Sequence, residues 1–233
     1  MKKILILIVF SMIQNINAQT IRVGAKHFNE GYILSEIISQ LLENEGYKVD
    51  RKFNLGGTLV CYEALINSEI EIYPEYTGTI SEAILKQKDK ISFEELKSKL
   101  KGLNLEISGE YGFNNTYAFA VRNELAKNLK LNTVSDLIKY PELKFGLSYE
   151  FLNREDGWKN LAKYYNLSQK PVGLEHGLAY KALEDNQIDL TDVYSTDGEI
   201  PKYDLKILED DKGYFPKYYA VSFYKKNLDE KIK

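Results

Sequence analysis

Residues 21–53 read IRVGAKHFNEGYILSEIISQLLENEGYKVDRKF, and this stretch decides the fold class. It starts with a short apolar strand pattern at residues 21–25, and residues 32–42 then carry apolar side chains at helical spacing. Gly46 ends the predicted helix, and residues 47–53 return to a strand pattern. A strand, a helix and a second strand in this order indicate an α/β protein with parallel strands.

The same alternation continues along the chain. Gly56-Gly57 precedes a helix at residues 58–65, with Thr58 as its expected N-cap, and a strand follows at residues 70–73. Residues 80–103 carry a long helical pattern, and residues 133–136 (TVSD) predict a capping box for a short helix. Further strands are expected at residues 105–108, 117–121, 144–147, 171–173, 188–194, 205–208 and 218–223, and helices at 157–165 and 177–185. We therefore expect an α/β fold whose mostly parallel sheets are flanked by helices.

The first 18 residues have the parts of a secretory signal peptide. Lys2 and Lys3 form a positive start, residues 4–12 form an apolar run too short to span a bilayer, and residue 18 is a small Ala. A buried first strand is the alternative, but it leaves the paired lysines unexplained. No cysteine follows the run, so we expect an exported, periplasmic protein without a lipid anchor.

Composition and missing motifs exclude several functional classes. The 233 residues carry 31 basic and 34 acidic side chains, a formal net charge of −3, whereas a nucleic-acid binder normally has a basic surface. The single cysteine, Cys61, cannot form an intrachain disulfide and is expected in the core. His27 and His176 lie far apart, and the sequence lacks the common hydrolase, P-loop, zincin and C-x-x-C motifs. We expect no catalytic activity, cofactor or metal.

Tyrosine is abundant, with 18 residues, and it recurs beside turn-forming or polar residues at predicted strand ends. The segments are residues 73–79 (YPEYTGT), 113–117 (FNNTY), 194–198 (YSTDG) and 214–219 (YFPKYY). Ligands of open α/β sheets bind beyond the carboxyl ends of strands, so one ring from each segment could form a pocket wall. The pattern alone favours ordinary core and surface tyrosines. Likewise, Gly56-Gly57 suits a turn and cap better than an anion site.

Several stretches match one known family in the same order along the chain. They are residues 24–30 (GAKHFNE) with 32–36 (YILSE), 55–59 (LGGTL), 71–79 (EIYPEYTGT), 112–118 (GFNNTYA), 153–157 (NREDG), 194–198 (YSTDG) and 208–212 (LEDDK). The series resembles the substrate-binding proteins of osmoprotectant ABC transporters, the glycine betaine/choline/carnitine type, which are type II periplasmic binding proteins. One matching stretch would be weak evidence for this family, but the ordered series from about residue 20 to 223 is strong evidence.

The resemblance implies two α/β lobes, joined by two crossover connections, that close around a ligand. Residues 19–111 and the returning segment 212–233 would form the first lobe, and residues 112–211 the second. The returning segment is expected to be shorter than in other members of the family. Each lobe would supply two rings of an aromatic box for a quaternary ammonium group.

By motif position, the resemblance assigns the box to Tyr76 and Tyr218 of the first lobe and Tyr117 and Tyr194 of the second. The polar end of the ligand would be held by Lys26, Thr79, Asn115 and Arg154. A trimethylammonium group has no N–H to donate, so aromatic faces suit it better than hydrogen-bond acceptors do. A ligand carboxylate would suit Arg154, whereas the hydroxyl of choline would need only Asn115 or Thr79. Some members have an acid at the position of Asn115, which leaves the ligand preference open.

These expectations describe a monomeric, exported component of an ABC importer that delivers glycine betaine, choline or carnitine to a membrane permease. The main alternative is a binding protein of the same shape for another solute, such as an amino acid. An α-amino group would then need an acid opposite it rather than a bare aromatic box. An enzyme on this fold would need a catalytic acid–base pair, and a structural or adhesive protein would bind no small solute.

Overall fold

The structure, a computed structural model, describes residues 20–87 and 89–232. The strands in these ranges are β1 (Thr20–Gly24), β2 (Lys48–Lys52), β3 (Ile72–Tyr76), β4 (Leu105–Ile107), β5 (Tyr117–Arg122), β6 (Gly146–Ser148), β7 (Val172–Leu174), β8 (Leu190–Tyr194), β9 (Leu205–Leu208) and β10 (Ala220–Lys225). The signal peptide expected at residues 1–18 lies outside the described residues.

Helices connect most of these strands. They are α1 (Asn29–Asn44), α2 (Thr58–Ile66), α3 (Thr77–Thr79), α4 (Phe93–Lys101), α5 (Asn123–Leu129), α6 (Tyr149–Asn153), α7 (Trp158–Tyr165), α8 (His176–Glu184) and α9 (Glu199–Lys202), with a π-helix at Ile80–Ile84 and a 3-10 helix at Val134–Lys139. Within the described ranges, no helix has the length and apolar character needed to cross a membrane.

The strands form two main sheets. The first sheet has the order β2-β1-β3-β10-β4 and the second the order β8-β5-β9, while β6 and β7 form a small parallel pair beside the second sheet. The expected α/β class with helix-flanked sheets is confirmed. The sheets are mixed rather than mostly parallel, because β10 runs antiparallel to β3 and β4, and β5 antiparallel to β8 and β9. Both β5 and β10 follow a passage between the sheets, so no βαβ connection imposes a parallel direction on them.

The two passages between the sheets pair with each other. Asn114 and Tyr219 form an antiparallel bridge, and the backbone N–H of Asn115 donates to the carbonyl oxygen of Tyr218 at 3.0 Å. The side-chain Oδ1 of Asn114 accepts from the backbone N–H of Tyr218 at 2.7 Å. This pairing holds Asn115 and Tyr218 side by side at the boundary of the two sheets.

Local predictions have mixed outcomes. The capping box is confirmed, because Thr133 and Asp136 exchange side-chain and backbone hydrogen bonds. Thr58 was expected as an N-cap, but it is the first residue of α2, whose N-cap is Gly57. The single helix expected at residues 80–103 is wrong: Lys86 takes a left-handed φ of 51°, which ends the π-helix, and Ser92 caps α4 separately. Helices α3, α5, α6 and α9 were not anticipated.

The buried residues position the site. A cluster under the first sheet contains Cys61, where burial raises the pKa of the thiol to about 12, as suits an inert core residue. The core of the second sheet, which includes Phe119 and Phe151, is continuous with Tyr76, Tyr117 and Tyr218. These tyrosine rings are therefore fixed by packing, and their positions do not depend on mobile loops.

Candidate ligand-binding site between the two sheets

A cavity of about 240 Å³ lies where the strand ends of the two sheets meet. Lys26 follows β1, Tyr76 ends β3, and Tyr194 ends β8, so these side chains reach the cavity from the carboxyl ends of strands. All eight residues assigned to ligand binding line it: Lys26, Tyr76, Thr79, Asn115, Tyr117, Arg154, Tyr194 and Tyr218. The structure thus brings together residues that are up to 192 positions apart, Lys26 and Tyr218.

One of the four expected box tyrosines, Tyr117, contacts two of the others directly. The centroid of the Tyr117 ring lies 5.2 Å from that of Tyr194 and 5.7 Å from that of Tyr218, both at steep interplanar angles. Tyr117 and Tyr194 are directly opposite in the antiparallel pair of β5 and β8, which brings the two rings to the same face.

The fourth ring, Tyr76, is joined to the others through Phe28, which sequence reasoning missed. The Phe28 centroid lies 6.3 Å from Tyr76 and 5.2 Å from Tyr194. Phe28 therefore connects a ring of the first sheet with one of the second. Its place in the stretch GAKHFNE, two residues after Lys26, was the available signal.

A close approach at Gly78 lets Tyr218 reach the cavity. A Cβ atom on Gly78 would lie 2.6 Å from a ring carbon of Tyr218 and 2.8 Å from the carbonyl oxygen of Lys217. Any larger residue at position 78 would displace the returning chain. The glycine that follows β3 at position 78 is therefore explained by packing of the crossover segment.

His176 is a second ring that sequence reasoning did not assign. It stacks on Tyr194 with centroids 4.4 Å apart, and its Nε2 donates to Asp197 at 3.0 Å. Burial lowers the pKa of His176, but the hydrogen bond and charge of Asp197 together with Asp192 and Glu175 raise it above its ordinary value. Asp197 also accepts from the backbone N–H of Tyr194 at 2.8 Å, so it fixes both stacked residues.

Lys26 is paired with a buried carboxylate. Its Nζ lies 2.6 Å from Oε1 of Glu75, and the two residues are 8% and 0% exposed. The same ammonium lies 4.9 Å from the centroid of Tyr76 and 5.4 Å from that of Phe28. The positive charge of Lys26 is therefore balanced within the protein, and a contact between Lys26 and a ligand stays a prediction.

Arg154 is held in one orientation by Asp156. Its Nε and Nη2 donate to the two carboxylate oxygens of Asp156 at 2.7 and 2.5 Å, in a bidentate pair. Nη1 lies 3.7 Å from Glu150, and Cζ lies 5.3 Å from the centroid of Tyr117. Burial lowers the pKa of Arg154, but Tyr117 and Asp156 raise it well above its ordinary value, so Arg154 stays charged. Its Nη1 edge is the part not used by Asp156.

The polar side chains Thr79 and Asn115 are both buried in the cavity wall, 4% and 5% exposed. Asn115 donates from Nδ2 to Glu30 at 2.8 Å, so part of its donor capacity is already used. Its Oδ1 has no hydrogen-bond partner among the described residues. Both residues line the cavity, and their roles in holding a ligand stay predictions.

Two carboxylates accept the hydroxyl hydrogens of box tyrosines. Tyr76 donates to Glu30, and Tyr218 donates to Asp156 at 2.6 Å. Burial and then the adjacent carboxylate raise the pKa of each phenol well above its ordinary value, so both remain neutral donors. A hydroxyl held in this way fixes the plane of its ring. Neither acid was identified from the sequence, although both lie in the stretches that resemble the family.

At the mouth of the cavity, side chains from the two sides meet. Asn29 donates from Nδ2 to Glu199 at 2.8 Å, and Nε2 of His27 lies 3.6 Å from Glu175. A Cβ atom on Gly57 would lie 2.4 Å from Oε2 of Glu150, so the start of α2 approaches α6 closely at this point. Among the described residues, no group of three or more His, Cys, Asp or Glu side chains could hold a metal ion.

The family model and the similar sequences point to one family. The family model described as the substrate-binding domain of ABC-type glycine betaine transport systems matches residues 19–233. The carnitine transport binding protein OpuCC of Listeria monocytogenes is 40% identical over 211 residues, which cover 86% of this chain and 68% of that protein. A crystal structure titled as a glycine betaine/carnitine/choline ABC transporter has a TM-score of 0.71 and 33% identity, covering 89% of this chain and 80% of that one.

A further relative is longer than this chain. It is the ergothioneine transport permease/ergothioneine binding protein EgtU of Helicobacter pylori, 39% identical over 215 residues. The match covers 90% of this chain and 39% of that protein, so the chain spans about two fifths of its length.

Proposed function

Because this chain belongs to the family of substrate-binding domains of ABC-type glycine betaine transport systems, we propose that it captures a small quaternary-ammonium solute and delivers it to the permease of an ABC importer. The observation that carries the proposal is the meeting of Tyr76, Tyr117, Tyr194 and Tyr218 around one cavity. These rings come from distant parts of the sequence. Tyrosines that served only to fill a hydrophobic core would have no reason to line the same cavity.

The aromatic walls suit the ammonium end of such a ligand. A methylated nitrogen is bulky, weakly hydrated and without N–H groups, so it gains both apolar contact and attraction to ring faces, up to about 2 kcal/mol for a desolvated contact. Phe28 adds a fifth ring to the box. Together these contacts support a Kd on the order of micromolar, about −8 kcal/mol, after the cost of association.

Part of the site suits a carboxylate. Arg154 keeps its charge and lines the cavity together with Thr79 and Asn115, while the bidentate pair with Asp156 holds the guanidinium in one orientation. Glycine betaine, carnitine and ergothioneine, named for the relatives, all combine a trimethylammonium group with a carboxylate. Choline has the ammonium group and a hydroxyl but no carboxylate, and would not use Arg154.

Closure of two lobes around the ligand is the proposed mode of capture. In this division, residues 19–111 and 212–233 form the first lobe, and residues 112–211 the second. The two sheets and the paired crossover segments support it. Contacts at the mouth, such as Asn29 with Glu199, form only when the lobes are together, so the permease can distinguish the closed form. We further propose a non-catalytic, periplasmic and monomeric protein, exported by the peptide at residues 1–18.

Titration calorimetry tests this function. The purified chain is titrated with glycine betaine, carnitine, choline and ergothioneine, and with alanine and glutamine as amino acids that lack a quaternary nitrogen. We expect at least one of the first four to bind in the micromolar range or tighter, and neither amino acid to release heat. Binding of an amino acid in preference to all four quaternary compounds would contradict the proposal.

A further inference from the structure

Glu30 lies behind the wall of the box and is not one of the residues that line the cavity in the described part of the chain. It accepts three hydrogen bonds: from the hydroxyl of Tyr76, from Nδ2 of Asn115 at 2.8 Å and from Oγ1 of Thr196 at 2.5 Å. Tyr76 ends β3 of the first sheet, and Thr196 follows β8 of the second. One carboxylate thus joins both sheets and a crossover segment directly behind a box ring.

From this position we infer that Glu30 determines the preference of the site for a positively charged ligand group over a neutral group of the same shape. The inference rests on the proposed function and goes beyond it. It assigns charge selectivity to a carboxylate behind the rings and not to the aromatic faces alone.

The physical reason has two parts. A phenol that donates its hydrogen to a carboxylate is polarised, so its ring becomes more negative and attracts a cation more strongly. The carboxylate charge also acts directly on a cation in the cavity, and partial burial of Glu30 screens it less than bulk water would. Both effects need a charge close to the ring, and the hydrogen bond from Tyr76 holds the carboxylate there.

The comparison with Asp156 shows why Glu30 is the stronger determinant. Asp156 holds Tyr218 in the same way, but its charge is balanced by the bidentate pair with Arg154. Glu75, the acid next to Tyr76 in sequence, is balanced by Lys26. Within the described ranges, no lysine or arginine forms an ion pair with Glu30, so its charge remains available to the box.

The test uses a pair of ligands that differ only in charge. Glycine betaine is compared with 3,3-dimethylbutanoate, in which a carbon replaces the quaternary nitrogen while the shape and the carboxylate are kept. The Kd of 3,3-dimethylbutanoate divided by the Kd of glycine betaine, both measured by calorimetry, reports the preference for the charged ligand. A loss of stability or of lobe contacts changes both Kd values together and leaves the ratio unaltered.

Three variants separate the explanations. Glu30→Gln keeps the length of the side chain but removes its charge, and it should lower the ratio about tenfold. Tyr76→Phe leaves the carboxylate but removes its hydrogen bond to the ring, and it should lower the ratio about threefold. Glu199→Gln is the matched control, because it weakens a contact at the cavity mouth without changing the charge behind a ring. It should leave the ratio unchanged.

The outcomes are distinct. Equal losses of affinity for both ligands in Glu30→Gln would overturn the inference and leave Glu30 a purely structural residue. If Glu30→Gln does not fold, an unchanged ratio in Tyr76→Phe overturns it. Failure of the unsubstituted protein to bind any quaternary compound would instead contradict the proposed function, and it would be seen before any variant is made.

Discussion

Replacing Lys26 by Met should destabilise the protein strongly, because it leaves a buried carboxylate without its partner. Glu75 is 0% exposed and lies 2.6 Å from the Lys26 ammonium, and its other strong contact is the backbone N–H of Tyr76 at 2.9 Å. Breaking one side of such a pair costs about 3–5 kcal/mol. For a chain of this size, 1 kcal/mol corresponds to about 2–4 °C, so thermal unfolding should shift down by about 6–20 °C.

The assay is thermal unfolding followed by circular dichroism, with Lys26→Met, Glu75→Gln and the double variant compared in one buffer. The double variant removes both charges and should regain at least half of the loss. A Tm for Lys26→Met within 2–4 °C of the unsubstituted protein, a loss of only about 1 kcal/mol, would refute the reasoning. So would a double variant no more stable than Lys26→Met. Ligand affinity in the stable double variant would then show directly whether Lys26 contacts a ligand.

Three further predictions concern the box, the ligand carboxylate and pH. Tyr117→Ala should weaken binding of the preferred quaternary ligand by more than tenfold in calorimetry, whereas Tyr164→Ala, a half-exposed tyrosine outside the cavity, should not. Arg154→Ala should reduce affinity for glycine betaine more than for choline; equal reductions would remove Arg154 from the carboxylate role. Burial, and then Asp156, raise the pKa of Glu82 to about 7, so the neutral acid is favoured in the folded state and stability should fall by about 1 kcal/mol as pH rises from 4.5 to 7. Glu82→Gln should abolish this fall in stability between pH 4.5 and 7, measured by urea unfolding at a series of pH values. An unchanged dependence of stability on pH would contradict the assignment.

Much of the fold was predictable because it depends on local patterns. The capping box at Thr133 and the left-handed Gly46, with φ of 88°, are consequences of a few neighbouring residues. The break after the π-helix was not predictable, because Lys86 carries no turn signal and the helical spacing continues through it. The antiparallel direction of β5 and β10 was missed for a related reason: strand direction after a passage between sheets is a property of the whole topology.

In the site, too, the residues within recognisable motifs were predictable and the contacts between distant residues were not. The box tyrosines and Arg154 were assigned by motif position, and the structure places them around one cavity. Glu30 and Asp156 were missed because their function depends on partners far away in sequence, Tyr76 and Tyr218. Periodicity reports which face a residue occupies, and it carries no information on which phenol a carboxylate will meet across two sheets.

The most direct test of the account is a crystal structure of the complex with whichever quaternary ligand binds most tightly. The trimethylammonium nitrogen should lie within about 6 Å of the ring centroids of Tyr76, Tyr117, Tyr194 and Tyr218. A ligand carboxylate, where present, should lie at Nη1 of Arg154. A ligand bound outside this cavity, or with its ammonium group directed away from the four rings, would contradict the central claim.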